Sequence, residues 1–140
     1  MTPDQILAYE PRVLTQEQRE FYFREGYLGL HGFVDAETVK RLQATTDNFV
    51  ELSRPEKEPG NVFDIAPEHT AEKPVLRRLK RPDERDEVYW AFARDVLADV
   101  AADLLGPDVV FHHSKMNFKW YSDGHGEVAP GRSVLPAHQL

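Results

Sequence analysis

The sequence predicts an α+β domain, with a layer of helices set against the strands that follow. Three observations lead there. Two stretches in the first half carry the polar signals that start helices, at Thr15 and at Asp35. Residues 86–105 repeat apolar side chains at i, i+3, i+4 and i+7, which marks one face of a helix. Residues 109–120 then switch to alternation, which marks a strand. A chain of 140 residues is about one domain.

The elements follow in order. Residues 1–14 read as a loosely attached leader. Leu14-Thr15-Gln16-Glu17-Gln18 holds a capping box, with Thr15 as N-cap, Gln18 three residues on and Leu14 placed as a staple. The helix it starts runs to about Glu25 and stops at Gly26. Tyr27–Leu30 reads as a short strand, and His31-Gly32 as a turn. Asp35 caps a second helix, with Val39, Leu42, Phe49 and Val50 on one stripe, ending near Ser53. Residues 54–85 are rich in Pro, Gly and charge and read as irregular, with a strand at Val62–Ile65. The mixed-sign run Lys80–Glu87 reads as a solvated loop.

The third helix, residues 86–105, carries the stripe Tyr89, Phe92, Ala93, Val96, Val100, Ala101 and Leu104, and Gly106-Pro107 ends it. Its natural partner is the strand at 109–120. Val110, His112, Ser114, Met116, Phe118 and Trp120 share one, more apolar, face of that strand. Phe111, His113, Lys115, Asn117 and Lys119 share the other. That second face either meets solvent or lines a cavity.

Composition removes several function classes. The net charge of −7 opposes phosphate backbones and anionic membranes, so neither nucleic acid nor membrane is expected as a partner. With no cysteine, there is no disulfide, thiolate nucleophile or cysteine-bound zinc. The N-terminus is polar and acidic, without the apolar stretch of a signal peptide. No apolar run approaches the ~20 residues of a membrane span. A cytoplasmic protein is the expectation.

The metal-ligating residue types do not assemble into a site. His112 and His113 are strand neighbours and should point to opposite faces, so they cannot chelate one ion. His125 and Glu127 are spaced as a ligand pair, but Asp123-Gly124-His125-Gly126 reads as a turn. His138 has nothing after it to complete a set. No catalytic residue and no metal ligand is assigned.

The order of these pieces resembles a known family. Phe21 to Tyr27 gives Phe-x-x-x-Gly-Tyr across the end of a capped helix. Gly32-Phe33-Val34-Asp35 then precedes a second capped helix. A later helix leads into His112-His113-Ser114-Lys115-Met116-Asn117-Phe118-Lys119-Trp120. Over residues 15–128 the chain resembles the phytanoyl-CoA dioxygenase family. The resemblance implies an Fe(II)- and 2-oxoglutarate-dependent oxygenase that hydroxylates a small organic substrate. It implies a double-stranded β-helix, or jelly roll, of which this chain supplies the helical layer and the first strands of an incomplete barrel. It also implies that Asn117 and Lys119 contact 2-oxoglutarate, with Lys115 as a rival, and that their face lines a cavity.

The resemblance also implies a His-x-Asp pair soon after Gly126-Glu127-Val128, a distal histidine and a carboxylate-binding arginine. Here Ala129–Leu140 follows instead. With free choice of third bases, that stretch can be encoded so that a shift of one nucleotide reads His-Gln-Asp-Val-Pro-Phe-Tyr-Pro-His-Thr-Asn. We therefore expect residues 129–140 to be an aberrant, frameshifted or truncated tail. The chain is then one partial domain, inactive by itself and binding neither iron nor 2-oxoglutarate. Its exposed sheet edge would favour self-association, and a non-catalytic interaction module is the alternative function.

Overall fold

The computed structural model of the chain describes residues 1–120. They are α+β, as expected: helices with an open, three-stranded antiparallel sheet. By contacts the chain divides into two compact units. The first joins Met1–Thr46 to Pro82–His113, and the second joins Asp47–Arg81 to the described residues from Ser114 to Trp120.

The first unit starts with α1 (Pro3–Leu7), capped by Thr2 with Gln5 reaching back to it. α2 (Gln16–Glu25) has the capping box read from the sequence: Thr15 accepts from the Gln18 N–H, and Gln18 accepts from the Thr15 N–H. Gly26 ends α2 at φ 81°, a left-handed conformation that costs a residue with a Cβ. No atom lies within 4 Å of where a Cβ would stand, so Gly26→Ala tests backbone strain alone. It should lower stability by about 1 kcal/mol, read as a shift in the urea midpoint.

Residues 1–14 depart from the loosely attached leader expected of them. They are firmly held, because Ile6 and Leu14 are buried and the backbone at 12–14 is tied to Asp103. Tyr27–Leu30 is not a strand. No strand lies in this unit to pair with it, and the Tyr27 ring packs edge-on against Phe21 of α2 at 5.4 Å.

α3 (Ala36–Leu52) begins at Asp35, whose carboxylate accepts from both the N–H and the hydroxyl of Thr38. These hydrogen bonds hold the Asp35 carboxyl below its ordinary pKa. Only Phe49 of the expected stripe is buried, while Val39 stays exposed. The boundary between the two units falls inside this helix.

The run read as a solvated loop is structured. Pro82–Arg85 is a short helix, α4, whose first turn carries Asp83 and Glu84, the favoured sign there. The helix expected at 86–105 exists but is not uniform. It comprises α5 (Glu87–Ala91), a π-helical segment (Phe92–Leu97) and α6 (Ala98–Leu105), and Gly106 ends it. Asp86 caps its start. Tyr89, Ala102 and Asp103 are its buried residues, and most of the expected stripe is only half-buried.

The least expected feature of this unit is polar. Arg19 on α2 is 1% exposed and Asp103 on α6 is 3% exposed. The Asp103 carboxylate accepts three consecutive backbone N–H groups, from Arg12, Val13 and Leu14, at 2.8, 2.9 and 2.8 Å. Arg19 donates to the carbonyls of Asp103, Tyr9 and Ile6 and to the Gln16 side chain. Every charge here has partners, which is the condition for keeping charge inside a fold. Desolvation pushes the Asp103 pKa up, but the N–H groups of Leu14, Val13 and Arg12, with the Arg19 charge, outweigh it and leave the carboxyl below its ordinary value.

The second unit is the sheet. β1 (Phe63–Ile65), β2 (Leu76–Lys80) and β3 (Lys115–Asn117) are antiparallel in that order. Phe63 pairs with Leu79 and Leu79 with Met116. In the next row Asp64 pairs with Arg78 and Arg78 with Asn117. The core of this unit is Phe49, Phe63, Ile65, Val75, Leu76 and Leu79. The long strand expected at 109–120 is short. Its partner β2 ends at Lys80, where Pro82 turns the chain into α4, so residues before Ser114 have no strand to pair with. From Ser114 to Trp120 the expected alternation holds, half-buried and exposed residues taking turns.

Candidate functional site

The sheet has two chemically different faces, and the polar one is the candidate site. On the apolar side, Leu79 is fully buried between Phe63 and Met116 in register. Beyond Asn117 the ladder continues, with the Phe118 N–H donating to the Arg77 carbonyl. The Trp120 indole N–H then donates to the Leu76 carbonyl at 2.7 Å, and its ring stacks on Phe118. These contacts pin the strand that carries Asn117.

The opposite face follows from period two. Lys115, Asn117 and Lys119 lie on it, all exposed. The structure therefore keeps the two residues expected to contact 2-oxoglutarate, and their rival, on one face. In register opposite Asn117 stands Arg78, and opposite Lys115 stands Lys80. Asp64 completes the Arg78 row from β1. The Arg78 guanidinium lies 3.5 Å from the Asp64 carboxylate, an ion pair longer than a good hydrogen bond. The Lys80 ammonium is turned to the Gly60 carbonyl at 2.9 Å. Arg78, like Lys115, Asn117 and Lys119, is exposed.

The sequence does not point to Arg78 and Asp64 as site residues, because Leu76–Lys80 lacks the alternation of a strand. The reason is a bulge. Asp64 pairs with Arg78, but Ile65 pairs with Leu76, so Arg77 is an extra residue. Leu76 and Leu79 are three apart and both fully buried. Alternation cannot express that spacing. A β-branched and apolar run, Val75-Leu76-x-x-Leu79, was the available signal.

The histidine reading needs correction in its geometry. His112 and His113 do not point to opposite faces of a strand, because the chain there is not a strand. Their rings meet edge-on with centroids 4.5 Å apart. Among the described residues, no group of three His, Cys, Asp or Glu side chains could hold a metal ion. His125, Glu127, His138 and the tail 129–140 lie outside the described residues.

Residues 22–139 match the family model for phytanoyl-CoA dioxygenase. The chain belongs to the phytanoyl-CoA dioxygenase family. The match runs past Val128, so it includes most of the stretch expected to be aberrant. No curated protein and no solved structure matches the chain. Membership makes the chain's relatives dioxygenases, which gives the polar face of β2 and β3 a chemical context. No helix among the described residues is long and apolar enough to cross a membrane.

Proposed function

We propose that this chain supplies the helical layer, the first jelly-roll strands and the 2-oxoglutarate-binding face of an Fe(II)- and 2-oxoglutarate-dependent hydroxylase acting on a small organic substrate. The observation that carries the reading is Asn117 between Lys115 and Lys119 on one exposed face, in a chain of the phytanoyl-CoA dioxygenase family. A dicarboxylate needs cationic and amide donors, and charge-assisted hydrogen bonds are the strong way to hold it. Asn117 offers an NH₂ group, and Lys119 offers an ammonium that can follow a flexible ligand. Packing of Met116, Phe118 and Trp120 on the far side keeps these donors in place.

The described residues do not fit iron. They bring no three ligands together, so no step through the metal is assigned to them. 2-Oxoglutarate, when bound, supplies the reducing electrons of the hydroxylation. This chain's own part is to bind and orient it. We place the iron ligands outside residues 1–120, and activity of the 140-residue chain is not part of the proposal.

Anaerobic titration of the purified chain tests this. In place of a chain that binds neither ligand, the exposed Asn117 and Lys119 lead us to expect weak 2-oxoglutarate binding without metal, abolished by Asn117→Ala with Lys119→Ala. Adding Fe(II) should give no visible metal-to-ligand charge-transfer band. Undiminished binding to the double variant would remove Asn117 and Lys119 from the site. A clear band would mean the chain builds an iron site, and the placement of the ligands would be wrong.

A further inference from the structure

We infer that the same face seats a second anion beside 2-oxoglutarate, the carboxylate of an organic-acid substrate, held by Arg78. The inference rests on the cosubstrate reading and goes beyond it to the substrate class. It starts from charge. The chain has a net charge of −7, yet β2, β3 and the residue pair after β3 carry Arg77, Arg78, Lys80, Lys115 and Lys119. Among the described residues of the three strands, Asp64 is the one acid.

The arrangement is unfavourable without a ligand. Lys80 and Lys115 stand directly opposite each other in register. Like charges in that relation destabilise a sheet. The Lys80 ammonium is drawn off to Gly60, but Lys115 keeps its place on the exposed face. A dicarboxylate lying along Asn117 on β3 and Lys119 just after it satisfies those two donors. It leaves Arg78, directly opposite Asn117 on β2, and Lys115, in the row beyond.

Arg78 suits a carboxylate in particular. Its side chain is 47% exposed, while that of its partner Asp64 is 14% exposed. Asp64 thus holds one nitrogen of the guanidinium, and the side chain remains about half exposed. A planar fork matches the two oxygens of a carboxylate. Directly opposite strand residues have Cα atoms about 5 Å apart, so a group on Arg78 would lie next to one on Asn117. That is where a substrate must sit to meet the cosubstrate.

The test is nuclear magnetic resonance on the isotope-labelled 140-residue chain, following the Arg78 side-chain and Asn117 amide signals. The chain is first saturated with 2-oxoglutarate, then titrated with butyrate, and separately with inorganic phosphate. We expect butyrate to add saturably without displacing 2-oxoglutarate. Arg78→Gln should weaken butyrate about tenfold, near 1.4 kcal/mol, and leave 2-oxoglutarate within about twofold. Arg78→Lys, which keeps the charge, should fall between the two. Displacement of 2-oxoglutarate by butyrate would mean one anion site and overturn the inference while leaving the cosubstrate reading intact. Butyrate affinity unchanged in Arg78→Gln would also overturn it, as would phosphate binding tighter than butyrate. Butyrate binding without any 2-oxoglutarate binding would sink the cosubstrate reading and keep the Arg78 site. Silence toward both ligands would sink both.

Discussion

Asp103→Ala is expected to cost the fold about 3–5 kcal/mol, the usual penalty for removing one partner of a buried charged network. The substitution leaves the N–H groups of Arg12, Val13 and Leu14 without their acceptor and Arg19 without a neighbouring negative charge. Natural domains have only about 5–15 kcal/mol to lose. Urea unfolding of the variant should therefore show a much lower midpoint, and residues 1–14 should become sensitive to protease. An unfolding free energy within about 0.5 kcal/mol of the parent's would show that water or a rearranged backbone replaces the carboxylate.

The same residue sets an acid limit. The Asp103 pKa is lower in the folded chain than its ordinary value. The folded state therefore binds this proton less readily than the unfolded state does. Its stabilisation is fully present above the unfolded value of about 4, and is lost as pH falls from there through the folded value. Asp103→Asn should be less stable near neutral pH and should lack that part of the acid loss. Unfolding free energies measured from pH 7 down to pH 3 give the comparison.

Leu79→Ala should be the most damaging change in the sheet, at about 3 kcal/mol or more. Leu79 has no exposed surface and lies in the central strand. Its register neighbours, Phe63 and Met116, come from both outer strands, so a cavity there is felt across the whole sheet. Loss of packing would also loosen Arg78 and Asn117, which stand in the adjacent row. We expect both a lowered unfolding midpoint and faster amide exchange along β2. An unchanged exchange pattern would mean the sheet is held from its edges instead of its centre.

Local signals were readable in the chain, and tertiary ones were not. Thr15 with Gln18, Asp35 with Thr38, and Gly26 each act within four residues, and each stands where the sequence put it. The alternation from Ser114 to Trp120 is likewise local, and it carried Lys115, Asn117 and Lys119 to one face. β2 was missed because a bulge breaks its period. The leader was misjudged because its anchor, Asp103, is about ninety residues away in sequence. No pattern within a helix says that one of its acids will be buried. Arg78 entered the site only through strand register, which depends on pairing partners on both sides.

The grip of Asp103 on Arg12, Val13 and Leu14 also sets an order of events. The sequence separations are 91, 90 and 89 residues, so this early segment has to wait for the last described helix. A chain made at ~5–20 residues per second leaves Arg12, Val13 and Leu14 several seconds without their acceptor. α2, with both caps local, can form at once, but Arg19 then holds a charge whose carbonyl partner on α6 does not yet exist. The first unit therefore closes from its two ends late and in one event. A nascent chain arrested before Asp103 should present residues 1–14 as an accessible tail, and one extended past Gly106 should not.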